Sequence, residues 1–326
     1  MIKKFGQQIE LIVKDENDRV VMAPSGQNSD IDLRVDFDLH YINGFNRGSV
    51  KIWNLNPDMV REVNTGDRYI TLNVRLHDGV WHNLAKDWYV SNAMEELILP
   101  NSVTTLFCFD SLRKNLFEKV VDIRIRRPSL KNIIDTVVAS IPEYDATLVE
   151  YLHFPDSVLN SVPVGRASRK WTGSVDGCLQ HHSRTHRFNY FNVQDKLVLM
   201  YRPVLDNVDD TTLSSAKPDL VLDTDNMRSN PSIGVAQLQV SSNLDPFIFP
   251  TAVLDVTELL TAGTSVEKKG LNITDEFLKK SVGGYAKYQT LAVQHRGSNY
   301  TGSWETTANA VSPDKGTSMP TVNWFR

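Results

Sequence analysis

Residues 29–57 read SDIDLRVDFDLHYINGFNRGSVKIWNLNP, and this stretch decides which fold the chain can adopt. From Asp30 to Tyr41, polar and apolar residues alternate without interruption. A period of two is expected of a strand with one buried face and one face in water. Turn residues around Gly44 follow, and a second alternating run ends near Trp53. The stretch predicts a long, curved β-hairpin, which needs a second layer or closure into a barrel to bury its apolar face.

The rest of the N-terminal third repeats this pattern. Short apolar or alternating runs predict strands at 9–13, 70–76, 81–90 and 103–109. Asp78-Gly79 is a strong hairpin signal, 15–27 is polar and expected to be a loop, 57–63 predicts one helical turn, and Glu95 and Glu96 are expected at a break between strands. Six or seven strands in about 110 residues with little helix favour an antiparallel barrel or sandwich.

The hydrophobic period changes after that region. Apolar residues at helical spacing predict an amphipathic helix over 130–141, and a second helix is expected over 174–186, followed by a hairpin over 188–201. Beyond an acidic, loop-like stretch at 203–230, short strands return around Val240, Val253, Leu291 and Trp304. The expected organisation is a first β-barrel (1–115), an α/β middle domain (116–204), a second β-barrel (205–310) and a tail (311–326).

Composition restricts the function classes. The formal net charge of -4 and the pI near 6.1 give no basic field of the kind that drives nucleic-acid binding. Two cysteines, Cys108 and Cys178, have no metal-ligand spacing and suggest neither a disulfide framework nor a zinc site. No apolar stretch is long enough for a membrane span, and no signal-peptide core is seen, so a soluble protein without membrane insertion, made in a reducing compartment, is expected.

Two clusters of possible metal ligands have simpler explanations. His182 and His186 are four apart on the predicted helix next to His181, but no third ligand completes a site, so a solvated helix end is favoured over metal binding. The aspartates between Asp206 and Asp225 do not match a calcium loop with its obligatory glycine, which favours a solvated loop. No metal and no cofactor are expected.

Catalytic signatures are also missing from the sequence. There is no Gly-x-Ser-x-Gly elbow and no phosphate-cradling glycine loop after a strand, so no catalytic residue is assigned. Trp53, Trp88 and Trp304 are interpreted as core or subunit-interface anchors rather than as a sugar-binding platform.

The order of several motifs resembles the baseplate hub proteins of contractile bacteriophage tails. The opening domain of that family is similar to Phe5-Gly6, the strand 33–37, Asn46, the run 50–56 and Gly66. Later segments are similar at Ser129-Leu130, 173–187, 197–203, 230–235 and 243–246. The resemblance ends with 288–294, His295-Arg296-Gly297 and 302–306, so it covers nearly the whole chain.

The resemblance implies a mainly β protein with two antiparallel barrels of tail-tube type flanking or enclosing the middle domain. It implies a homotrimer in the virion tail baseplate, assembled in the host cytoplasm. Three chains with two related barrels each would present six similar units to the tail tube or its initiator, and threefold symmetry to the central spike. Other baseplate proteins would be neighbours, and genomic DNA would pass only in transit.

Two surfaces are candidates for this role. Asp30, Asp32, Asp36 and Asp38 share one strand face, which either lines the channel and repels DNA or is ordinary solvent-facing surface. Partner contacts are expected at Trp53, Trp304, Trp324 and Phe325, although a disordered end is the simpler interpretation of the last two.

Two other classes stay open on the sequence alone. A tail-associated cell-wall hydrolase would need a catalytic module, and the chain has no spare region of about 100 residues for one. A β-protein that binds host glycans would use exposed tryptophans. The expected function is structural rather than enzymatic.

Overall fold

The computed structural model describes residues 8–26, 33–76, 79–126, 128–141, 149–162, 168–193, 196–201, 217–223, 225–229, 231–234, 237–256, 287–301 and 304–311. The chain divides into two compact units. The first contains Met1–Tyr201 and Gln294–Trp304, and the second contains Arg202–Val293 and Glu305–Arg326. The chain therefore leaves the first unit and returns to it near its C-terminal end.

The predicted hairpin is the central feature of the first unit. Strands β3 (Val35–Ile42) and β4 (Phe45–Trp53) pair antiparallel, and Gly44 at the turn has a φ of 83°, which favours glycine. The apolar residues at every second position of β3 are buried, and the polar residues between them are partly exposed. The period-two prediction for this stretch is confirmed.

Five further strands extend this hairpin into a larger sheet: β1 (Gln8–Asp15), β2 (Val20–Ser25), β5 (Arg68–Arg75), β6 (Trp81–Ile98) and β7 (Asn101–Phe109), with helix α1 (Pro57–Val63) after β4. The strand order is β3-β4-β7-β6-β5-β1-β2, and the end of a later strand lies beside β3. β2 lies inside the segment expected to be a loop, so that expectation was wrong. The strand pairs with β1 through irregular register shifts, and its own sequence is too short to show a clear period.

A second correction concerns Glu95 and Glu96. They lie within β6, which runs without a break from Trp81 to Ile98 and pairs Glu95 with Thr104 and Glu96 with Val103. Two adjacent glutamates break the alternation of polar and apolar residues. That alternation is needed only where one face of a strand is buried, and both faces of β6 are in water here.

The rest of the first unit contains both helices and short strands. Its elements are α2 (Ser111–Glu118), β8 (Val120–Arg126), α3 (Leu130–Val138), β9 (Val149–Leu152), α4 (Asp156–Leu159), β10 (Ser168–Ser174), α5 (Val175–His186), β11 (Phe188–Val193) and β12 (Lys196–Tyr201). Ser129 and Ser174 accept hydrogen bonds from backbone N–H groups as the N-caps of α3 and α5, which confirms both predicted helices. The apolar faces of these helices share one core with β8, β11 and β12.

The second unit is a β-structure in the residues that are described. Its strands are β13 (Leu220–Val221), β14 (Ser232–Gly234), β15 (Gln237–Asn243), β16 (Val253–Asp255), the first part of β17 (Lys287–Ser298) and most of β18 (Trp304–Val311). β15 pairs antiparallel with β18, and β16 pairs antiparallel with β17. Strands predicted around Val240, Val253, Leu291 and Trp304 are all present.

The fold class is mainly β with a smaller helical part, as expected. Within the described residues no closed barrel is present, and the two-barrel arrangement remains a proposal. The last fifteen positions, which include Trp324 and Phe325, lie outside the described residues, as do Asp30 and Asp32. Among the helices that are described, none is both long and apolar enough to cross a bilayer.

Candidate interaction surface

The outward side chains of β3 and β4 form the surface on which three of the predicted site residues lie, namely Asp36, Asp38 and Trp53. Pairing across the hairpin places Asp36 opposite Lys51 and Asp38 opposite Ser49. Directly opposite residues in an antiparallel pair project from the same side of the sheet. We call this outward side of the hairpin the polar face. Of the four aspartates predicted to share a strand face, Asp36 and Asp38 are described and lie on it.

Asp36 is held by three donors. Arg34 Nη2 and Trp53 Nε1 each donate to Asp36 Oδ2 at 2.8 Å, and the hydroxyl of Ser298 donates to the other carboxylate oxygen. Burial raises the pKa of Asp36, but these hydrogen bonds and the charge of Arg34 outweigh burial and hold the pKa below its usual value. Asp36 is therefore an anionic anchor that ties β4 and residue 298 to β3.

Asp38 has a similar environment built from other residues. Gln294 Nε2 donates to Asp38 Oδ1 at 2.7 Å, and Arg296 Nε donates to Oδ2 at 3.2 Å. His40 Nε2 lies 3.0 Å from Oδ1. Burial raises the pKa of Asp38, yet the hydrogen bonds from His40 and Gln294 and the charges of His40 and Arg296 lower it below its usual value.

Half of the residues that contact these aspartates come from one distant segment. We call residues 294–301 the return segment, because here the chain re-enters the first unit. Asn299 accepts a hydrogen bond from Val35 N at 2.9 Å and donates to Leu33 O at 2.8 Å. A Cβ on Gly297 would lie 2.5 Å from Phe37 Cε1, so only glycine lets the backbone pass this ring. The return segment thus fixes β3 from both of its faces.

Trp53 lies at one end of the polar face in a cluster with an arginine. Arg34 Cζ lies 4.1 Å from the centroid of the Trp53 ring and 5.1 Å from that of Tyr300. Tyr300 is 67% exposed. Arginine and large aromatic residues are enriched at the energetic centres of protein interfaces. This cluster therefore has the composition expected of a partner contact, and it contains a predicted interface residue.

The other predicted interface tryptophan is placed differently. Trp304 is 3% exposed, and its ring packs edge-on against Phe37 at a centroid distance of 6.0 Å. Trp88 is also buried and packs against Tyr41 at 5.5 Å. Burial within its own chain leaves Trp304 almost no surface for a partner, so it acts in the core of the first unit.

A shallow pocket of about 410 Å³ opens beside the polar face. Its lining includes Asp38, His40, Arg47 and three phenylalanines, Phe45, Phe107 and Phe109. Cys108 also borders the pocket, but burial raises the pKa of its thiol well above the usual value, which disfavours a nucleophilic thiolate. The pocket offers aromatic and charged contact surface without an activated nucleophile among these groups.

The histidines of α5 do not form a metal centre with other described residues. His182 is buried, and its ring stacks on that of His186 at a centroid distance of 5.6 Å. Among the described residues, no group of three or more histidine, cysteine or acidic side chains could hold a metal ion. Cys108 and Cys178 are both buried, and neither forms a disulfide with another described residue.

Sequence reasoning missed the contribution of the return segment to the polar face. Gln294, Arg296 and Ser298 are more than 250 positions away from Asp36 and Asp38. No local pattern links residues at that separation. The only available signal was the resemblance to a family motif at His295-Arg296-Gly297, which marks the segment but not its contacts.

Similar folds occur among solved structures of tail proteins. A tail protein from Neisseria meningitidis matches with a TM-score of 0.54 and 10% identity, covering 94% of this chain and 97% of that one. A 43 kDa tail protein of prophage MuSo2 from Shewanella oneidensis matches with a TM-score of 0.51 and 8% identity, covering 93% and 98%. At such low identity these matches establish a shared fold.

A third match comes from a secretion system. An Escherichia coli component of the type VI secretion system, described as structurally similar to the T4 bacteriophage tail proteins gp27 and gp5, matches with a TM-score of 0.52 and 10% identity. The match covers 90% of this chain and 77% of that one. Two of these three neighbours are thus named as tail proteins, and the third is compared with tail proteins. No protein-family model and no curated protein sequence matches the chain.

Proposed function

We propose that this chain is a structural protein of the virion tail, and that it acts as a trimeric baseplate hub. In this proposal each chain contributes two related β-modules. Three copies then present a sixfold surface to the tail tube and a threefold surface to the central spike. The ring leaves a channel through which genomic DNA passes. Closed symmetric rings satisfy their interfaces by repetition, so one protein can join two symmetries.

One observation carries this proposal. The fold matches tail proteins over almost the full length of both chains, 94% of this one and 97% of the Neisseria meningitidis protein. A match that included only one β-module would fit many β-proteins. Full-length coverage that includes both units supports the architecture shared by these tail proteins and by the related secretion-system component.

A further structural neighbour suggests the partners of this chain. A Francisella structure of a PdpA–VgrG complex matches with a TM-score of 0.52, covering 98% of this chain and 60% of that one. By analogy we propose that this chain binds a central spike protein, tail tube or tube-initiator proteins and other baseplate proteins. Assembly would take place in the host cytoplasm.

The contacts of the polar face argue against the channel-lining role that the sequence left open for its aspartates. A channel wall that repels DNA needs uncompensated negative charge. Arg34 and Arg296 lie against Asp36 and Asp38 and balance much of their charge. These contacts favour a structural role for Asp36 and Asp38, whereas Asp30 and Asp32 lie outside the described residues.

Imaging of purified tails tests the proposal. A small tag fused after Arg326 would be located by electron microscopy of the tail tip, with tagged tube protein as a control for sixfold density. We expect three copies arranged around the tail axis between tube and spike. Six copies, a single copy, or density on peripheral fibres would contradict the hub assignment. Clearing on a peptidoglycan zymogram would favour the hydrolase alternative instead.

A further inference from the structure

The hairpin of β6 and β7 extends beyond the rest of its sheet. Pairing between β5 and β6 ends at Tyr89, whereas β6 continues to Ile98 and pairs there with β7. Within the described part of the chain, no strand covers the other edge of β6 from Val90 onward. We call residues 91–102 the ribbon tip. Along this edge its backbone hydrogen-bonding groups have no strand partner among the described residues.

The side chains of the ribbon tip are both apolar and acidic. Leu97 is 69% exposed and Leu99 is 81% exposed, and Met94 and Ile98 are exposed beside them. Glu95 and Glu96 are exposed and form no ion pair with described residues. Native proteins normally protect a long apolar edge, and exposed apolar patches with a polar rim mark interaction sites. The ribbon tip therefore has the character of a surface that is covered in an assembly.

A complementary surface lies on the same unit. β8 and β10 form a two-stranded sheet whose inner residues, Val121 and Ile125, belong to the helical core. Its outer face carries Arg124, Arg126 and, opposite Arg124, Lys170. We call this outer face the basic ribbon.

The charges of the basic ribbon are only partly balanced. Lys170 pairs with Asp122 at 2.9 Å, while Arg124 donates to the hydroxyl of Ser168. No carboxylate among the described residues pairs with Arg124 or Arg126. Val120 at the end of the same face is 70% exposed. Two arginines and an exposed apolar residue thus match the two glutamates and the apolar residues of the ribbon tip.

We propose that the ribbon tip of one copy of this chain docks on the basic ribbon of a second copy. This inference rests on the proposed function, because it names the contact that would hold the homotrimer together. Both surfaces belong to the first unit, so each copy carries both. A contact between two different surfaces is head-to-tail. Such a contact forms a closed ring when the rotation that relates one copy to the next is a whole fraction of 360°, as it is for a trimer. Complementary charge selects a second copy as the occupant.

Charge reversal tests the contact. The variants Glu95→Lys with Glu96→Lys, and Arg124→Glu with Arg126→Glu, are each expected to weaken self-association at least about tenfold, because like charges would face each other. Combining all four substitutions restores opposite charges and is expected to recover most of the association. Sedimentation velocity and native mass spectrometry from about 1 to 100 µM would measure it, since oligomer populations depend on concentration.

A matched control makes the same change of charge elsewhere. Glu16 and Glu62 are exposed on the first unit and belong to neither the ribbon tip nor the basic ribbon, so Glu16→Lys with Glu62→Lys should leave association unchanged. Circular dichroism would verify that all variants fold. Association should also weaken as salt is raised, because exposed charges are screened.

The outcomes separate this contact from the hub assignment. A wild-type oligomer that both charge variants leave intact overturns the contact and leaves the hub proposal standing. Failure of the fourfold variant to recover association also overturns it, and indicates another occupant such as a different tail protein. A wild-type chain that stays monomeric throughout the concentration range overturns the second-copy contact, while the tail-tip imaging decides the hub assignment independently.

Discussion

Two pairs of acidic residues in the first unit have the same charge but opposite surroundings. Asp36 and Asp38 lie on β3 and contact Arg34 and Arg296 together with neutral donors. Glu95 and Glu96 lie on the ribbon tip among exposed apolar side chains. The carboxylates of the first pair have cationic and hydrogen-bonding partners within the chain, and those of the second pair have no ion-pair partner among the described residues.

The difference shows which acids serve the fold and which are available to a partner. A carboxylate that accepts several hydrogen bonds stabilises the elements that supply the donors, and its removal leaves those donors without their acceptor. An exposed carboxylate without an ion pair contributes little to the stability of its own chain. Substitutions in β3 should therefore change stability, and matched substitutions in the ribbon tip should change association.

The largest difference is expected for apolar residues of the two regions. Phe37→Ala should lower the free energy of unfolding by about 3–5 kcal/mol, because Phe37 is buried against Trp304 and Gly297. Leu97→Ala in the ribbon tip should change it by less than about 0.5 kcal/mol. Urea unfolding followed by tryptophan fluorescence would measure both. Equal losses would mean that the ribbon tip is part of the stable core.

The next largest effect on stability is expected from substitution of Asp36. Asp36→Asn should destabilise the first unit by about 2 kcal/mol, since it removes a charged acceptor from Arg34, Trp53 and Ser298. Glu96→Gln is the matched control and should leave the unfolding free energy nearly unchanged. A neutral Asp36→Asn variant would contradict the structural role of this carboxylate.

A smaller effect on stability is expected when only one of the hydrogen bonds to Asp36 is removed. Trp53→Phe removes the indole N–H that donates to Asp36 but keeps an aromatic ring next to Arg34. The expected loss of unfolding free energy is about 1 kcal/mol, the net value of a single hydrogen bond. In the Asp36→Asn background the same substitution should cost less, and thermal unfolding of the double-mutant cycle would measure this coupling. Additive losses would indicate that the two residues act separately.

The smallest effect is on the pH dependence of stability. The folded-state pKa values of Asp36 and Asp38 are lowered, so between those values and the unfolded value of about 3.9 the unfolded chain binds more protons. The stability from these groups is present above pH 4 or so and is lost as the pH falls through the folded-state values.

Acid titration of unfolding would measure that effect. Asp36→Asn with Asp38→Asn should flatten the decline of stability below about pH 4 relative to wild type. A decline that is unchanged in the aspartate variant would show that these groups are not linked to folding.

Local patterns predicted the elements of this fold better than their contacts. The alternation from Val35 to Tyr41 and the helical spacing of the apolar residues in α3 are encoded within a few residues, and both were confirmed. β2 was missed because a short strand next to a turn has too few positions to show a period. The break expected at Glu95 was wrong because strand pairing with β7 persists where the polar alternation stops.

The candidate surface was less predictable than the elements that carry it. Sequence reasoning placed Asp36 and Asp38 on one face, which the structure also shows, but gave no information on the cations beside them. Trp304 and Trp53 were grouped because both are tryptophans, yet one is buried and the other stacks with Arg34 near the surface. Their difference depends on tertiary packing across long separations, which a single sequence does not record.

The return of residues Gln294–Trp304 to the first unit has a consequence for how the protein is made. A ribosome delivers Phe37 long before it delivers Gly297 and Trp304, so the nascent chain must wait for its second unit to be translated before the first can finish packing. Domains that complete early during synthesis fold as they emerge, whereas this one depends on a late segment. Truncation anywhere before Gln294 would consequently damage the N-terminal unit as well as the C-terminal one.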